Sequence, residues 1–270
     1  IDFARAEDYD WTIGQFVWTG FDYLGEPSPY DTNAWPNHSS MFGIIDLASI
    51  PKDRYYLYRS VWNKEAETLH ILPHWNWEGR EGEKTPVFVY TNYPSAELFI
   101  NGKSYGRQTK RKDGTVENRY RLMWYDAVYQ PGEVKVVAYD EQGNPAAEKT
   151  IRTAGKPHHI ELVTDRTSLQ ADGKDLAYVT LRIVDKDGNL CPNDGRLVSF
   201  KVKGDRQVSC FGKRRPYLSR FVPQAGNACF WRHAYGDRSV GRKGWRYRTS
   251  GHSQGCEGWN YPHSGKISLF

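Results

Sequence analysis

The chain has 270 residues, room for two or three domains of ordinary size, and its 37 Lys and Arg against 32 Asp and Glu leave a net charge of +5. No run of eighteen apolar residues occurs, which rules out a transmembrane helix, and Cys191, Cys210, Cys229 and Cys256 supply neither a paired C-x-x-C metal motif nor a disulfide framework. Aromatic residues reach 14% with 10 Trp, a level that suits sugar handling and equally the cores of barrels and sandwiches.

Residues 1 to 12 mix Asp2, Arg5, Glu7, Asp8 and Asp10 with Phe3, Tyr9 and Trp11, and are read as a helix and loop leading into a strand. Phe16, Val17 and Trp18 form a short apolar run of the kind that is buried on both faces of a sheet or barrel. The loop that follows is crowded with aromatics and carboxylates, among them Trp18, Phe21, Asp22, Tyr23, Glu26, Tyr30, Asp31 and Trp35. Aromatic faces stack on the C–H faces of sugar rings and carboxylates accept hydrogen bonds from hydroxyls. The composition therefore suits a carbohydrate, and it also suits an aromatic rim with no ligand, in which Asp22 braces the loop and Glu26 caps a turn.

Phe42 to Asp46 is a second strand-like segment. Pro51 is expected to open a helix, where its missing N–H costs nothing, with Asp53 near the positive end of the dipole. Leu57 with Val61, and Tyr58 with Trp62, are spaced to share a packing face. From about Leu69 the period becomes two. Pro86–Thr91, Ala96–Ile100, Tyr120–Trp124 and Glu133–Tyr139 are predicted strands separated by Asn-Gly, Asp-Gly, Pro-Gly and Gln-Gly turns, a pattern of the immunoglobulin-like sandwich. Asn101-Gly102 is the clearest hairpin signal, since both residues tolerate positive φ.

Gly155-Lys156-Pro157 is a linker. Beyond it, His159–Val163, Ala177–Val184 and Val198–Val202 read as strands of a second module, with a turn at Asp187-Gly188-Asn189. His158 and His159 are neighbours expected on opposite faces of a strand, which argues against a metal site.

Four motifs, in this order and spacing, carry a resemblance: Gln15–Pro27 (QFVWTGFDYLGEP), Ser39–Ala48 (SSMFGIIDLA), Pro51–Trp62 (PKDRYYLYRSVW) and Leu69–Trp77 (LHILPHWNW). Together they closely resemble the family 2 glycoside hydrolases, in their beta-galactosidase-like branch. The resemblance implies a mainly β chain in which residues 1–67 are the C-terminal end of a catalytic (β/α)8 barrel, residues 68–154 an immunoglobulin-like β-sandwich and residues 155–204 the start of a second. Active sites of such barrels lie at the C-terminal ends of the strands. It implies that Trp18 walls the subsite of the cleaved sugar, with Asp22, Tyr23 and Glu26 as candidates for the pocket rim. A retaining glycosidase needs two carboxyl groups about 5 Å apart; the family places both, as glutamates, on earlier barrel strands. The chain begins at Ile1 and reaches the matching strand within about fifteen residues, so neither catalytic glutamate is expected in it, and Glu7 and Glu26 match neither motif. The implied partner is a carbohydrate and the implied location is periplasmic or extracellular; no cofactor, membrane or nucleic acid is expected, and no residue is assigned to a metal. A second class of function, a non-catalytic carbohydrate-binding or adhesion module, fits the β-rich regions but not the barrel-like segments.

After Gly204 the strand pattern stops. Leu, Ile, Val and Phe supply ten of the last 66 residues, while nine Arg and three Lys against three acids give that stretch +9 and leave −4 for residues 1–204. A basic tail for nucleic acid and a disordered linker are both open readings, and translation in the wrong frame is the preferred one. Permitted codons for Asp205–Leu218, read one nucleotide later, can give a glycine turn, a strand and another turn. Those for Asn227–Ser239 can give an apolar strand, and those for Gly265–Ser268 a stop. Residues 205–270 are therefore expected to be disordered or poorly packed, with an Arg and Cys content that carries no evolved function.

Overall fold

The computed structural model describes residues 2–24, 40–169, 175–195 and 197–200, and beyond these the strand backbones of residues 206–211, 227–233, 245–246 and 266–269. Its contacts divide the chain into two units, one of Ile1–Gly20 with Pro51–Thr153 and the other of Phe21–Ile50 with Ala154–Phe270. The chain is mainly β, and no described helix is long and apolar enough to cross a membrane.

In chain order the first unit contains α1 (Asp2–Asp8), α2 (Asp53–Trp62), β1 (Leu69–Leu72), β2 (Val87–Thr91), β3 (Ser95–Ile100), β4 (Lys103–Thr109), α3 (Val116–Tyr120), β5 (Leu122–Trp124), β6 (Glu133–Tyr139) and β7 (Pro145–Arg152). The strands form a three-stranded sheet, β1-β2-β5, and a four-stranded sheet, β4-β3-β6-β7, all neighbours antiparallel. Period-two patterning fills the space between them. Val134, Val136 and Ala138 of β6 and Ala96 and Leu98 of β3 are fully buried, and they share one core with Val87, Val89, Leu122 and Trp124 of the other sheet. Trp75 and Tyr129 join that core with ring centroids 5.2 Å apart, and the indole N–H of Trp75 donates to the Gln130 carbonyl at 2.9 Å. Asn101 (φ 49°) and Gly102 (φ 80°) turn β3 into β4 with the positive φ values that a two-residue hairpin requires. The Asn101 side chain also accepts from the Glu133 N–H at 2.7 Å, which ties the hairpin to the start of β6.

Helix α2 begins at Asp53 with Lys52 as its cap, two residues later than the proline suggested. Its aromatics dock it: Tyr56 stacks on His70 of β1 at 3.9 Å, and His70 Nε2 lies 2.8 Å from the Asp53 carboxylate. Tyr58 and Trp62 meet at 4.7 Å, the spacing expected of i and i+4, and Phe3 of α1 packs edge-on against both.

The second unit holds β8 (His159–Thr164), β9 (Ser168–Leu169), β10 (Leu176–Val184), β11 (Leu197–Phe200), β12 (Arg206–Phe211), β13 (Asn227–His233), β14 (Trp245–Arg246) and β15 (Lys266–Leu269). Its main sheet runs β12-β13-β10-β8, with β11 paired in parallel to β15 and β9 paired to β14. Leu181, Ile183, Cys191 and Val198 form its buried cluster, against which Ala154 and Ile160 pack.

Among the described residues one five-residue turn occurs three times, at Asp46–Ile50, Asp140–Asn144 and Asp185–Asn189. In each, the Asp N–H donates to the carbonyl of the fifth residue, and the Asp carboxylate accepts the N–H groups of the third and fifth at 2.8–3.0 Å. The fourth residue is left-handed: Gly143 (φ 86°), Gly188 (φ 82°) and, in the first copy, Ser49 (φ 63°).

Three expectations are corrected. Residues 16–18 are not a strand: Phe16 is fully exposed and Trp18 is 75% exposed. A doubly buried strand exists only between two paired neighbours, and no described strand pairs with this stretch. Second, four segments after Gly204 are strands by backbone pairing, where no strand pattern was expected. Ladder hydrogen bonds belong to the main chain, so the open edge of β10 accepts an extended partner irrespective of its side-chain pattern. Third, His158 and His159 do not point apart; their Nδ1 atoms are 3.1 Å from each other, because His158 precedes β8 and is not bound by strand alternation.

Candidate sugar-binding loop

Within the first unit, residues 9–20 form an irregular loop after α1. Tyr9 and Trp11 lie 5.2 Å apart, with the Thr12 N–H donating to the Tyr9 carbonyl, and Trp18 presents an exposed indole at the far end, joined to Thr19 by a cis peptide. Gln15, at the head of the same motif, lines a cleft of about 170 Å³ together with Phe3, Arg54, Tyr58, Tyr120 and Arg121.

The loop is anchored where it leaves α1. Arg119 of α3 is 8% exposed and grips the Asp8 carboxylate through two hydrogen bonds of 2.7 Å, and the Tyr120 hydroxyl donates to Glu7 at 2.9 Å. The hydrogen bond from Arg119 holds the Asp8 carboxyl below its ordinary range. Burial, then the bond to Glu7, pushes the Tyr120 hydroxyl up. Glu7 and Asp8 are thus structural contacts. Sequence reasoning missed this pair, although two carboxylates at the C-terminal end of a helix oppose its dipole and so signal a cationic partner elsewhere.

Asp22 and Tyr23 lie in the second unit, on a short stretch that pairs with residues 40–45. The Asp22 N–H donates to the Ile45 carbonyl at 2.9 Å, and the Asp22 carboxylate accepts the Gly43 N–H at 2.8 Å. Tyr23 and Ser40 exchange two bonds: the Tyr23 N–H donates to the Ser40 hydroxyl at 3.1 Å, and the Ser40 N–H donates to the Tyr23 carbonyl at 2.8 Å. A Cβ on Gly43 would lie 2.2 Å from the Asp22 nitrogen, so only glycine allows the two backbones to approach this closely. Asp22 therefore braces the loop, whatever else it touches. Glu26 lies outside the described residues. Among the described residues no group of three or more His, Cys, Asp or Glu is placed to hold a metal ion.

Comparison with known proteins extends the picture. The model for glycoside hydrolase family 2 C-terminal domain 5 matches residues 160–221, running past Gly204, and a domain of unknown function, DUF4982, matches residues 82–147. A beta-galactosidase of Bacteroides ovatus is 46% identical over 227 residues, which is 83% of this chain and 25% of the relative. A crystal structure of a glycosyl hydrolase family 2 member from Bacteroides cellulosilyticus superposes with a TM-score of 0.76 at 30% identity, covering 87% of this chain and 34% of that one. A beta-glycosidase from Bacteroides vulgatus gives 0.74 at 31% identity, covering 85% and 29%. The chain thus spans a quarter to a third of the length of these relatives. The motifs around Trp18, the mainly β fold and these likenesses agree: the chain belongs to glycoside hydrolase family 2.

Proposed function

We propose that the chain serves a retaining glycoside hydrolase acting on β-linked galactosides or related glycans, in the periplasm or outside the cell. In this reading Trp18 stacks on the sugar, Tyr23 and Glu26 contribute to the pocket rim, and Asp22 shapes that rim through its bond to Gly43. The observation that carries it is the exposed indole of Trp18, set in a motif of this family. An exposed aromatic face is what a pyranose ring stacks on. The reaction needs a nucleophile and a general acid/base about 5 Å apart. The reading places both outside these residues, so the chain by itself binds sugar without cleaving it.

Two measurements test this. Purified chain is expected to release no nitrophenol from a nitrophenyl β-galactoside beyond contaminant controls, and turnover above them sinks the assignment. A β-galactoside is expected to shift the Trp18 indole resonance in the intact chain, and Trp18→Ala is expected to abolish binding without unfolding the protein. We also infer that residues 205–270 are translated out of frame. Their composition supports this reading and the family match through residue 221 opposes it; sequencing the source DNA across Gly204 decides between them.

A further inference from the structure

We propose that the cleft between α2 and β7 is an oxyanion site, taking a carboxylate or sulfate that is either free or carried on an acidic sugar. The cleft measures about 210 Å³ and is lined by Tyr56, Arg59, Glu67, Thr68, Glu148 and Lys149 among others. That is ample room for a small oxyanion. Its two carboxylates are already engaged: the Tyr93 hydroxyl hydrogen-bonds Glu67, and Lys135 lies 3.6 Å from Glu148.

Its two cations are not engaged with carboxylates. The Arg59 guanidinium reaches only the Glu67 backbone carbonyl, at 3.2 Å, and Lys149 makes no hydrogen bond or ion pair among the described residues. Burial lowers the pKa of the Lys149 ammonium, which is the cost of holding a cation away from water with no opposite charge. Both cations line the same cleft, and a guanidinium fork and an ammonium are both donors that an oxyanion accepts. An oxyanion bound in the cleft would relieve that cost and raise the Lys149 pKa again.

The test is calorimetric titration of the full chain with sodium sulfate, sodium glucuronate and neutral galactose at fixed ionic strength, repeated with Lys149→Gln, Arg59→Gln and the remote control Lys103→Gln. One saturable site is expected for an anion and none for galactose, with affinity weakened about tenfold or more by either cleft substitution and unchanged by the control. Tighter binding of glucuronate than of sulfate assigns the site to acidic sugars, and the reverse order assigns it to free inorganic anions. Lysine NMR on the unsubstituted chain gives an independent reading, in which the Lys149 pKa rises on saturation. Absence of saturable anion binding, or binding retained in both cleft variants, overturns the proposal.

Discussion

Asp185 should make the second unit sensitive to acid. Its side chain is 3% exposed, and its two oxygens accept four hydrogen bonds: from the N–H groups of Asp187 (2.9 Å), Asn189 (2.8 Å) and Gly155 (2.8 Å), and from the Asn189 amide (3.0 Å). Burial alone pushes the carboxyl pKa up, but the Asn189 side chain and the three backbone N–H groups outweigh it and hold the group at about 2, against an ordinary 3.8. At about 1.4 kcal/mol per pH unit, the drop from 3.8 to about 2 amounts to about 2 kcal/mol of folding free energy. Because the folded value is the lower one, this stability is complete above about pH 4 and drains away as the pH falls through about 2. Asp185→Asn keeps one acceptor oxygen but turns an amide donor toward donors. It should cost about 2 kcal/mol at neutral pH, and the gap from the parent should have mostly closed at about pH 2.5. Urea unfolding followed through the amide resonances of Leu181 and Ile183 in β10 reads this unit specifically. A gap that stays as wide at about pH 2.5 as at neutral pH would refute the linkage argument.

Other substitutions probe the remaining elements. Ser49→Gly should stabilise the protein by about 1 kcal/mol, since Ser49 sits at φ 63° where its two counterparts are glycine, and a lower urea midpoint for the variant would count against the strain argument. Trp75→Phe removes the indole bond to the Gln130 carbonyl and leaves a void in the core, and should cost about 2–4 kcal/mol in urea unfolding followed by the amides of β6. A cost below about 1 kcal/mol would show that this site collapses freely. Arg119→Met should speed hydrogen exchange of the α1 amides while leaving those of β6 unchanged, and equal protection in both would mean that the clasp on Asp8 is dispensable.

How much of this was legible in the sequence depended on whether a segment had a dry side. Glu133–Tyr139 was read with its observed bounds because every second residue is fully buried. The Asn101-Gly102 hairpin was readable because its conformation is a property of those two residue types alone. By contrast, β4 and β7 lie on the edges of their sheet and neither shows an apolar alternation; the almost wholly exposed Lys103–Thr109 is legible only as the polar second arm of the Asn101-Gly102 hairpin, and β7 has no such signal. Helix α3 was missed and Tyr120 read as strand; five residues are too few for a helical period, and only Thr115, which accepts the Asn118 N–H, marks its start. In the loop, sequence chemistry singled out Trp18 and Asp22 as side chains. That Asp22 is spent on Gly43 follows from a contact across 21 positions, which local pattern does not encode.

The thrice-used aspartate turn has a consequence for the order in which the chain acquires its structure. The bonds that define it span five residues and lie within the turn, and Asp185 accepts one more from the Gly155 N–H. Loop closure over so short a span is fast and entropically cheap, on the scale of microseconds or less. The Asp140 copy therefore fixes the register of β6 against β7 before any distant strand arrives, and the Asp185 copy seeds Val184 against Leu190 in the same way. Slower pairings such as β10 with β13 across the intervening chain must wait for these seeds. Substitutions at Asp140 or Asp185 should thus slow refolding more than they hasten unfolding, placing these two carboxylates among the earliest organisers of their modules.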